Sequence, residues 1–282
     1  MDRLNIDLET FSSVDIKKSG LYKYVQSPDF EILLFAYSLN GAPVQVVDLA
    51  QGEHIPGEII WKLTDQNTIK RAYNAAFEWY CLSKFLSPNG LSTPLHSWQC
   101  TMAQGLYCGF TAGLGATGEA LGLPSDKKKM SVGMSLIRTF CIPKKPTKTN
   151  SRIRTLPQHE PEKWQLFKEY CSQDVVTEMA IEEKLKNFPM PPAEQYMWQL
   201  DQVINTRGLN IDQKMVEGAL AMADIVTAEQ MEEAKKLSGL DNPNSNAQLK
   251  KWLEEETGEE FESLNKKAVT DWVAKGIPFE NV

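Results

Sequence analysis

The chain has 282 residues, a formal net charge of −7, 42% hydrophobic residues and 24% charged residues. This length suits one medium-sized domain and a smaller one, and the composition is that of an ordinary globular protein. We find neither an apolar run of the ~20 residues that a membrane helix requires nor a secretory leader, so we expect a cytoplasmic protein with no membrane partner.

The first predicted element is a strand over residues 3–10 that carries two acids. Side chains two positions apart on a strand point to the same face, so Asp7 and Glu9 project together while Ile6 and Leu8 turn to the opposite, buried side. Two carboxylates this close raise each other's pKa unless a cation lies between them, and Mg²⁺ prefers oxygen ligands. The pair indicates a metal site, although a solvent-facing acidic pair explains it equally well.

Two further strands are predicted over residues 31–39 and 43–48, joined by a hairpin at Asn40-Gly41, which is a strong turn signal. A helix over residues 56–64 and a strand near residue 70 follow. A meander followed by alternating helix and strand is typical of a mixed α/β sheet flanked by helices.

A second acidic position lies in the string Asn-Ala-Ala-Phe-Glu at 74–78. Asn74 is predicted to be the N-cap of a helix over residues 75–86, because Asn is among the best capping residues. Glu78 then lies in the first turn, where the helix dipole favours a carboxylate. That is also an ordinary place for a structural Glu.

Short helical pieces separated by glycines are predicted over residues 102–140. The string GLGATG at 113–118 follows no strand and lacks the Lys-Ser/Thr ending of a phosphate loop, so we interpret it as a helix start with small residues for close packing.

Basic residues follow this region, and from residue 141 to 155 the chain has no acid. A basic segment of this kind attracts a phosphate backbone, but it is also typical of a simple solvated loop. Its basic residues, which a lysine run at 127–129 precedes, are Lys144, Lys145, Lys148, Arg152 and Arg154.

The third acidic position lies in a long predicted helix over residues 161–186, which has no glycine and no proline after its first residue. Tyr170 and Asp174 are four residues apart and therefore share one face of the helix. A phenol beside a metal-bound carboxylate can orient an attacking water. A half-buried Tyr next to a solvated Asp is the commoner explanation of such a pair in isolation.

Helices are predicted on both sides of Gly208, which suits a C-cap, and Asp212 suits the following N-cap. The acidic stretch at 252–262 is interpreted as a solvated helix and turn. The five cysteines are scattered, odd in number and without CxxC spacing, which predicts reduced, mostly buried thiols. For the three histidines, His54, His96 and His159, surface or capping roles are expected.

Taken in order, the motifs D-x-E, N-x-x-F-(D/E) and Y-x-x-x-D resemble those of the DnaQ-like 3′-5′ exonucleases, in the subgroup with a Tyr in the third motif. The strings YNAAFEWYCL at 73–82 and WQCTM at 98–102 resemble the proofreading domain of bacteriophage-type family A DNA polymerases. The resemblance covers about residues 3–187 and implies a ribonuclease-H-like sheet. It assigns residues 1–190 to an exonuclease domain and 191–282 to a helical segment like the start of the polymerase thumb, with no polymerase activity expected.

The resemblance also implies two divalent metal ions, Mg²⁺ or Mn²⁺, held ~4 Å apart. Asp7 would bridge both ions, Glu9 and Asp174 would complete the first site, and Glu78 would support the second. Tyr170 would position the attacking water. Most relatives have Asp where this chain has Glu78, so the longer side chain would have to reach its metal differently.

The implied substrate is a single-stranded DNA 3′ end, with the remaining polymerase domain as a protein partner. The terminal base would have to splay into the site and stack on aromatic side chains. Two alternatives remain, an RNA exonuclease of the ribonuclease D type and a non-catalytic DNA- or polymerase-binding module with a decayed metal site. The candidate nucleic-acid contacts are Leu8, Thr10, Phe11, Asn74, Phe77, Lys144, Lys145, Lys148 and Arg152.

Overall fold

The structure is a computed structural model, and it describes residues 1–111, 113–146, 151–274 and 276. The chain divides into two compact units, Met1–Gly208 and Leu209–Val282. The sequence predicts a boundary after residue 190, whereas the helix that follows this position belongs to the first unit. The functions assigned to the two parts of the chain stay predictions.

The first unit is built on a mixed sheet. Within the described residues its strands are β1 (Arg3–Phe11), β2 (Glu31–Leu39), β3 (Gln45–Asp48), β4 (Ile69–Ala72) and β5 (Trp98–Cys100). Their order in the sheet is β3-β2-β1-β4-β5. β1 pairs antiparallel with β2 and β2 with β3, while β1 pairs parallel with β4 and β4 with β5. The predicted ribonuclease-H-like α/β class is confirmed.

The hairpin between β2 and β3 confirms the Asn40-Gly41 turn signal. Both residues have positive φ, 55° for Asn40 and 78° for Gly41, as a type I′ turn requires. β5 was not predicted because three residues are too few to show a period of two.

The helices of the first unit surround this sheet. They are α1 (Ile16–Val25), α2 (Gly57–Thr64), α3 (Ala76–Leu86), α4 (Thr101–Tyr107), α5 (Leu114–Ala120), α6 (Gly133–Phe140), α7 (Pro161–Leu185) and α8 (Pro192–Arg207). The prediction of a long helix is confirmed by α7, which has Pro at its first position, where proline is favoured. α1 was not predicted, because its helical pattern is interrupted at Gly20, which has a φ of 77°.

β1 separates two hydrophobic layers. Leu4, Ile6 and Leu8 pack into the layer that also contains buried residues of α2 and α3, as the alternation predicts. The opposite face is covered by α7, with Phe167 and Val175 buried against it. Burial of one such side chain stabilises the fold by about 1.5–3 kcal/mol. These contacts hold α7 across the face from which the acids of β1 project.

The second unit contains α9 (Gln213–Ser238), α10 (Asn246–Thr257) and α11 (Lys266–Ala274). Gly208 follows the last residue of α8 and the Asp212 side chain accepts a hydrogen bond from Met215 N at the start of α9, so both predicted caps are confirmed. Phe261 is buried against Trp272, with ring centroids 4.1 Å apart. In the described part of the chain, no helix combines the length and apolarity needed to cross a membrane.

Candidate active site

The structure brings the three predicted acidic positions together. Asp7 and Glu9 project from β1 toward α7, and Tyr170 and Asp174 face them from that helix. The Sγ atom of Cys171 lies 3.5 Å from Asp7 Oδ2 and so marks the contact between the helix and the strand. The side chains spaced by two residues on β1 and by four residues on α7 thus meet at one place.

The acids of this cluster are largely removed from water. The exposed fractions are 7% for Glu9, 5% for Asp174 and 3% for Glu78, while Asp7 is partly exposed. Acidic residues are rarely buried to this extent unless they are paired. Asp7 is therefore the least enclosed of the four acids.

Burial raises the pKa of each of these carboxyl groups, and repulsion by neighbouring acids raises it further for Asp7, Glu9 and Glu78. For Asp7 the larger cause is desolvation and the next is the charge of Asp174. Desolvation also dominates for Glu9 and Glu78, and the charge of Asp7 follows in both cases. The effect of Asp7 on the pKa of Glu78 shows that the α3 carboxyl belongs electrostatically to the same cluster. Such a cluster requires either protons or a cation.

Two oxygens of the cluster lack a protein partner in the described residues. Glu78 Oε2 and Asp174 Oδ1 are buried and accept no hydrogen bond. A buried polar atom without a partner costs about 1–3 kcal/mol, and carboxylate oxygens are the ligands that hard divalent cations prefer. The donor set therefore fits a divalent cation by chemistry.

A lysine occupies the position between the acids. Lys129 Nζ donates a hydrogen bond of 2.6 Å to Tyr170 Oη and pairs with Asp174 Oδ2. No group of three or more Asp, Glu, His or Cys side chains in the described ranges is arranged to hold a metal ion as it stands. Of the four acids, Asp174 pairs with this ammonium, and the charge of the ammonium lowers the pKa of Asp7 and Glu9. Sequence reasoning noted the lysine run at 127–129 but gave Lys129 no role.

Tyr170 is enclosed, with 2% of its surface exposed. Its ring stacks on Phe167 with an interplanar angle of 6° and centroids 6.2 Å apart. A Cβ atom added to Gly133 would lie 2.2 Å from Tyr170 Cε2, so only glycine fits beside the ring. Burial, then the charge of Asp174, raises the pKa of Tyr170, which keeps the phenol neutral. Gly133 was not predicted to contribute to the site.

The turn before α3 differs from its prediction. Asn74 is not the N-cap: α3 begins at Ala76 after Ala75, and Asn74 has a left-handed φ of 71°. Asn tolerates this conformation because its short polar side chain forms local hydrogen bonds. The Asn74 carbonyl accepts a hydrogen bond of 2.9 Å from Phe77 N. Asn74 is exposed, and Glu78 is buried close enough to Asp7 and Glu9 for their charges to raise its pKa.

Three predicted nucleotide contacts on β1 are enclosed by protein. Leu8 lies in the hydrophobic layer beneath the sheet. Thr10 Oγ1 is 2.7 Å from Tyr24 Oη, and the Arg154 guanidinium lies 4.1 Å from the centroid of the Phe11 ring. Their contacts with a nucleotide, like those of Asn74 and Phe77, stay predictions.

Most of the basic residues after α6 are exposed where they are described. Lys144, Lys145 and Arg152 are exposed, and Lys148 lies outside the described residues. The Lys144 amide donates a 2.7 Å hydrogen bond to the Ile153 carbonyl. The role of these residues in phosphate binding stays a prediction.

A polar anchor behind the cluster was also missed. Asn5, two residues before Asp7 on the same face of β1, donates to Glu178 Oε2 at 2.7 Å and to Glu182 Oε2 at 3.0 Å. Glu178 also accepts a hydrogen bond from the Thr101 hydroxyl. The signal was the continued spacing of four residues after Asp174, which keeps these glutamates on the face of α7 that meets β1.

The five cysteines are free thiols, and four of them are buried, as predicted. His159 Nδ1 accepts a 3.0 Å hydrogen bond from the Leu156 amide, which confirms a capping role for that histidine.

We expect the protein in EDTA to become more stable as the pH falls from about 8 toward about 5. The pKa values of Asp7, Glu9 and Glu78 are raised in the folded state, so the folded protein binds more protons than the unfolded chain above the ordinary carboxyl pKa of about 4. The free energy of unfolding therefore decreases as the pH rises. Urea unfolding across this range measures the slope, and Asp7→Asn should reduce it. An equal slope in both proteins would contradict the prediction.

The chain was compared with families, curated proteins and solved structures. No family model matches it. It is 47% identical over 274 residues to a DNA polymerase of Bacillus phage SP02, a match that covers 97% of this chain and 41% of that polymerase. The chain thus spans less than half the length of this relative. The similarity confirms the predicted resemblance to a phage DNA polymerase.

Among solved structures, the apo form of a nuclease is 15% identical with a TM-score of 0.43, covering 71% of this chain and 79% of that one. NrnC of Brucella melitensis with bound Mg²⁺ is 13% identical with a TM-score of 0.42, covering 71% and 82%. Both TM-scores are below 0.5, so we infer nothing about this chain from these two structures.

Proposed function

We propose that this chain, a relative of the DNA polymerase of phage SP02, is a metal-dependent 3′-5′ exonuclease that removes nucleotides from single-stranded or frayed DNA ends. The main support for this proposal is the buried cluster of carboxyl groups, two of whose oxygens lack a protein partner in the described residues. Asp7, Glu9, Glu78 and Asp174 hold the metal ions in this proposal. Solvent and substrate approach from the exposed side of Asp7.

Divalent cations bound at these carboxylates supply an activated water and stabilise the leaving 3′ oxygen. The residues of the chain hold the carboxylates in place and orient the attacking water. Tyr170 is neutral because its pKa is raised, so its hydroxyl donates and accepts hydrogen bonds and positions the water without removing a proton. α7 fixes the spacing of Tyr170 and Asp174, and the contact of Asn5 with Glu178 holds α7 in register with β1.

DNA is the proposed substrate because the similarity to a DNA polymerase extends over 97% of this chain. In the same proposal, residues 1–190 are the nuclease, residues 191–282 resemble the start of the polymerase thumb, and the rest of a polymerase is the protein partner. The free thiols support the cytoplasmic location expected from the sequence.

A gel assay with 5′-labelled single-stranded DNA tests the proposal. In Mg²⁺ or Mn²⁺ we expect a ladder that shortens one nucleotide at a time from the 3′ end, and EDTA should abolish it. A blocked 3′ terminus should stop degradation, and labelled RNA of the same sequence should be degraded more slowly. Faster loss of RNA would favour a ribonuclease D type enzyme. Intact substrates under every condition would favour a non-catalytic module.

We expect higher activity with Mn²⁺ than with Mg²⁺, and we expect Glu78→Gln to lose most activity while Glu78→Asp keeps a measurable part. Glu reaches one methylene further than Asp, and Mg²⁺ demands near-ideal octahedral contacts of about 2.0–2.1 Å. Initial rates of nucleotide release measure both effects. Glu58→Gln is the matched control, since Glu58 is an exposed glutamate in the first turn of α2. If Glu78→Gln degrades DNA as fast as the parent, Glu78 is not part of the site.

A further inference from the structure

The ammonium of Lys129 is placed inside the acidic cluster by direct contacts. It donates to Tyr170 Oη at 2.6 Å, pairs with Asp174 Oδ2 and lies 4.7 Å from the centroid of the Tyr170 ring. Its positive charge also lowers the pKa of Asp7 and Glu9, against the effect of their burial. Lys129 therefore compensates part of the negative charge of the whole cluster.

The loop that carries Lys129 is fastened to the helix that carries Asp174. Gln173 Nε2 donates hydrogen bonds to the carbonyls of Asp126, at 3.0 Å, and Lys128, at 3.1 Å. On the other side, a Cβ added to Gly115 would lie 3.7 Å from Lys129 Cβ and Cδ, an ordinary contact distance. The backbone of this loop is thus fastened to α7 by hydrogen bonds, and the Lys129 side chain passes close to Gly115 of α5.

The two partners of this ion pair differ in their access to water. The Lys129 side chain is 32% exposed, whereas that of Asp174 is 5% exposed. An ammonium on a flexible stem can swing out to water, where it is well solvated. A carboxylate on a helix packed against the sheet cannot follow it.

An ammonium and a divalent cation compete for the same carboxylate. Both are positive, and the Asp174 oxygen that pairs with Lys129 is one of only two that this residue can offer as ligands. Two cations within a few ångströms in a poorly solvated site repel each other strongly. A metal ion bound at the unpartnered Oδ1 of Asp174 would lie within a few ångströms of the ammonium on Oδ2, so its binding favours movement of Lys129 away from Asp174.

We propose that Lys129 is a tethered cation that stabilises the acidic cluster in the metal-free protein and leaves Asp174 when a divalent ion binds. Lys129 then lowers the metal affinity of the protein in the absence of nucleic acid. The inference rests on the proposed function, because it requires the cluster to be the metal site. It gives the pairing of Lys129 with Asp174 a function in the cluster.

Calorimetric titration of Mg²⁺ and Mn²⁺ into the EDTA-treated, dialysed protein tests the proposal without any substrate. We expect Lys129→Met to bind the ions about tenfold more tightly, the factor that corresponds to about 1.4 kcal/mol. Lys129→Arg keeps the positive charge and should bind no more tightly than the parent. Lys127→Met is the matched control, since Lys127 is an exposed lysine of the same loop that forms no ion pair with the other described residues.

Urea unfolding in EDTA gives a second readout that does not depend on metal affinity. We expect Lys129→Met to unfold at lower urea than Lys127→Met, because the acids lose their internal cation, and saturating Mn²⁺ should remove the difference. If Lys129→Met does not fold in EDTA, Gln173→Ala replaces it. This variant releases the loop without changing the charge, and it should also bind metal more tightly than the parent.

The outcomes separate this inference from the proposed function. Equal affinities in the parent and Lys129→Met, or in the parent and Gln173→Ala where that variant is used, would overturn the role of Lys129 and leave the metal site standing. If no variant binds Mg²⁺ or Mn²⁺, the proposed metal site fails and the inference fails with it. Tighter binding by Lys127→Met as well would show a general charge effect and would also overturn the proposal.

Discussion

Asp7→Ala is expected to abolish nucleotide release, with a loss of at least about 10³-fold, while the protein stays folded. In the proposed function Asp7 would help to hold the metal ions, which would contribute several kcal/mol to transition-state stabilisation, where about 1.36 kcal/mol corresponds to a tenfold rate. Asp174→Ala should have a loss of similar size. Single-turnover rates on single-stranded DNA with saturating Mn²⁺ measure the effect.

Stability distinguishes a functional loss from a folding defect. Asp7 has a raised pKa because it is desolvated and close to Asp174, so removal of its charge should leave the stability in EDTA unchanged or increased. The stability of Asp174→Ala in EDTA should increase less, since this variant also loses the ion pair with Lys129. Glu169→Ala is the control, an exposed acid on the same helix. Activity within a few-fold of the parent in either site variant would refute the assignment.

Tyr170→Phe is expected to slow nucleotide release by about 10²-fold, the size typical of one positioned proton or water contact, without weakening metal binding. The ring keeps its stacking on Phe167, so only the hydroxyl is lost. Rates at saturating Mn²⁺ and calorimetric metal affinity measure the two effects. Loss of metal affinity together with activity would mean that Tyr170 has a structural role.

Gly133→Ala tests whether the position of the Tyr170 hydroxyl matters, because it disturbs the ring without changing Tyr170 itself. The added methyl group would lie 2.2 Å from Tyr170 Cε2 and 2.9 Å from its Oη, so the ring or α6 must move. We expect a loss of activity at least as large as that of Tyr170→Phe. Gly218→Ala is the matched control, because a Cβ at this helical glycine meets no atom within 4 Å. Parent-like rates in Gly133→Ala would show that the ring position is not critical.

Local periodicity was sufficient to place the acids. A period of two on β1 puts Asp7 and Glu9 on one face of the strand, and a spacing of four on α7 puts Tyr170 and Asp174 on one face of the helix. Both patterns act over a single element, so neighbouring residues contain all the information. The hairpin at Asn40-Gly41 and the caps of α8 and α9 were predictable for the same reason.

Asn74 and β5 show where local signals mislead. An Asn before a helix is a good N-cap by propensity, yet here it takes a left-handed conformation one residue before the N-cap position at Ala75. β5 consists of three residues that extend only because they pair with β4. For β5 the neighbouring strand, not the preference of its own residues, determines the backbone.

The sequence by itself determined the order of the elements and the faces on which the acids lie, because strand and helix periods are properties of a few consecutive residues. Only the tertiary structure determined which residues from other segments lie close to those acids and to Tyr170. Lys129 lies 41 residues from Tyr170 and 45 from Asp174 in the chain, and Gly133 touches the Tyr170 ring across two helices. These contacts arise from the packing of α5, α6 and α7 over one sheet, and packing between distant segments leaves no periodic trace in the sequence.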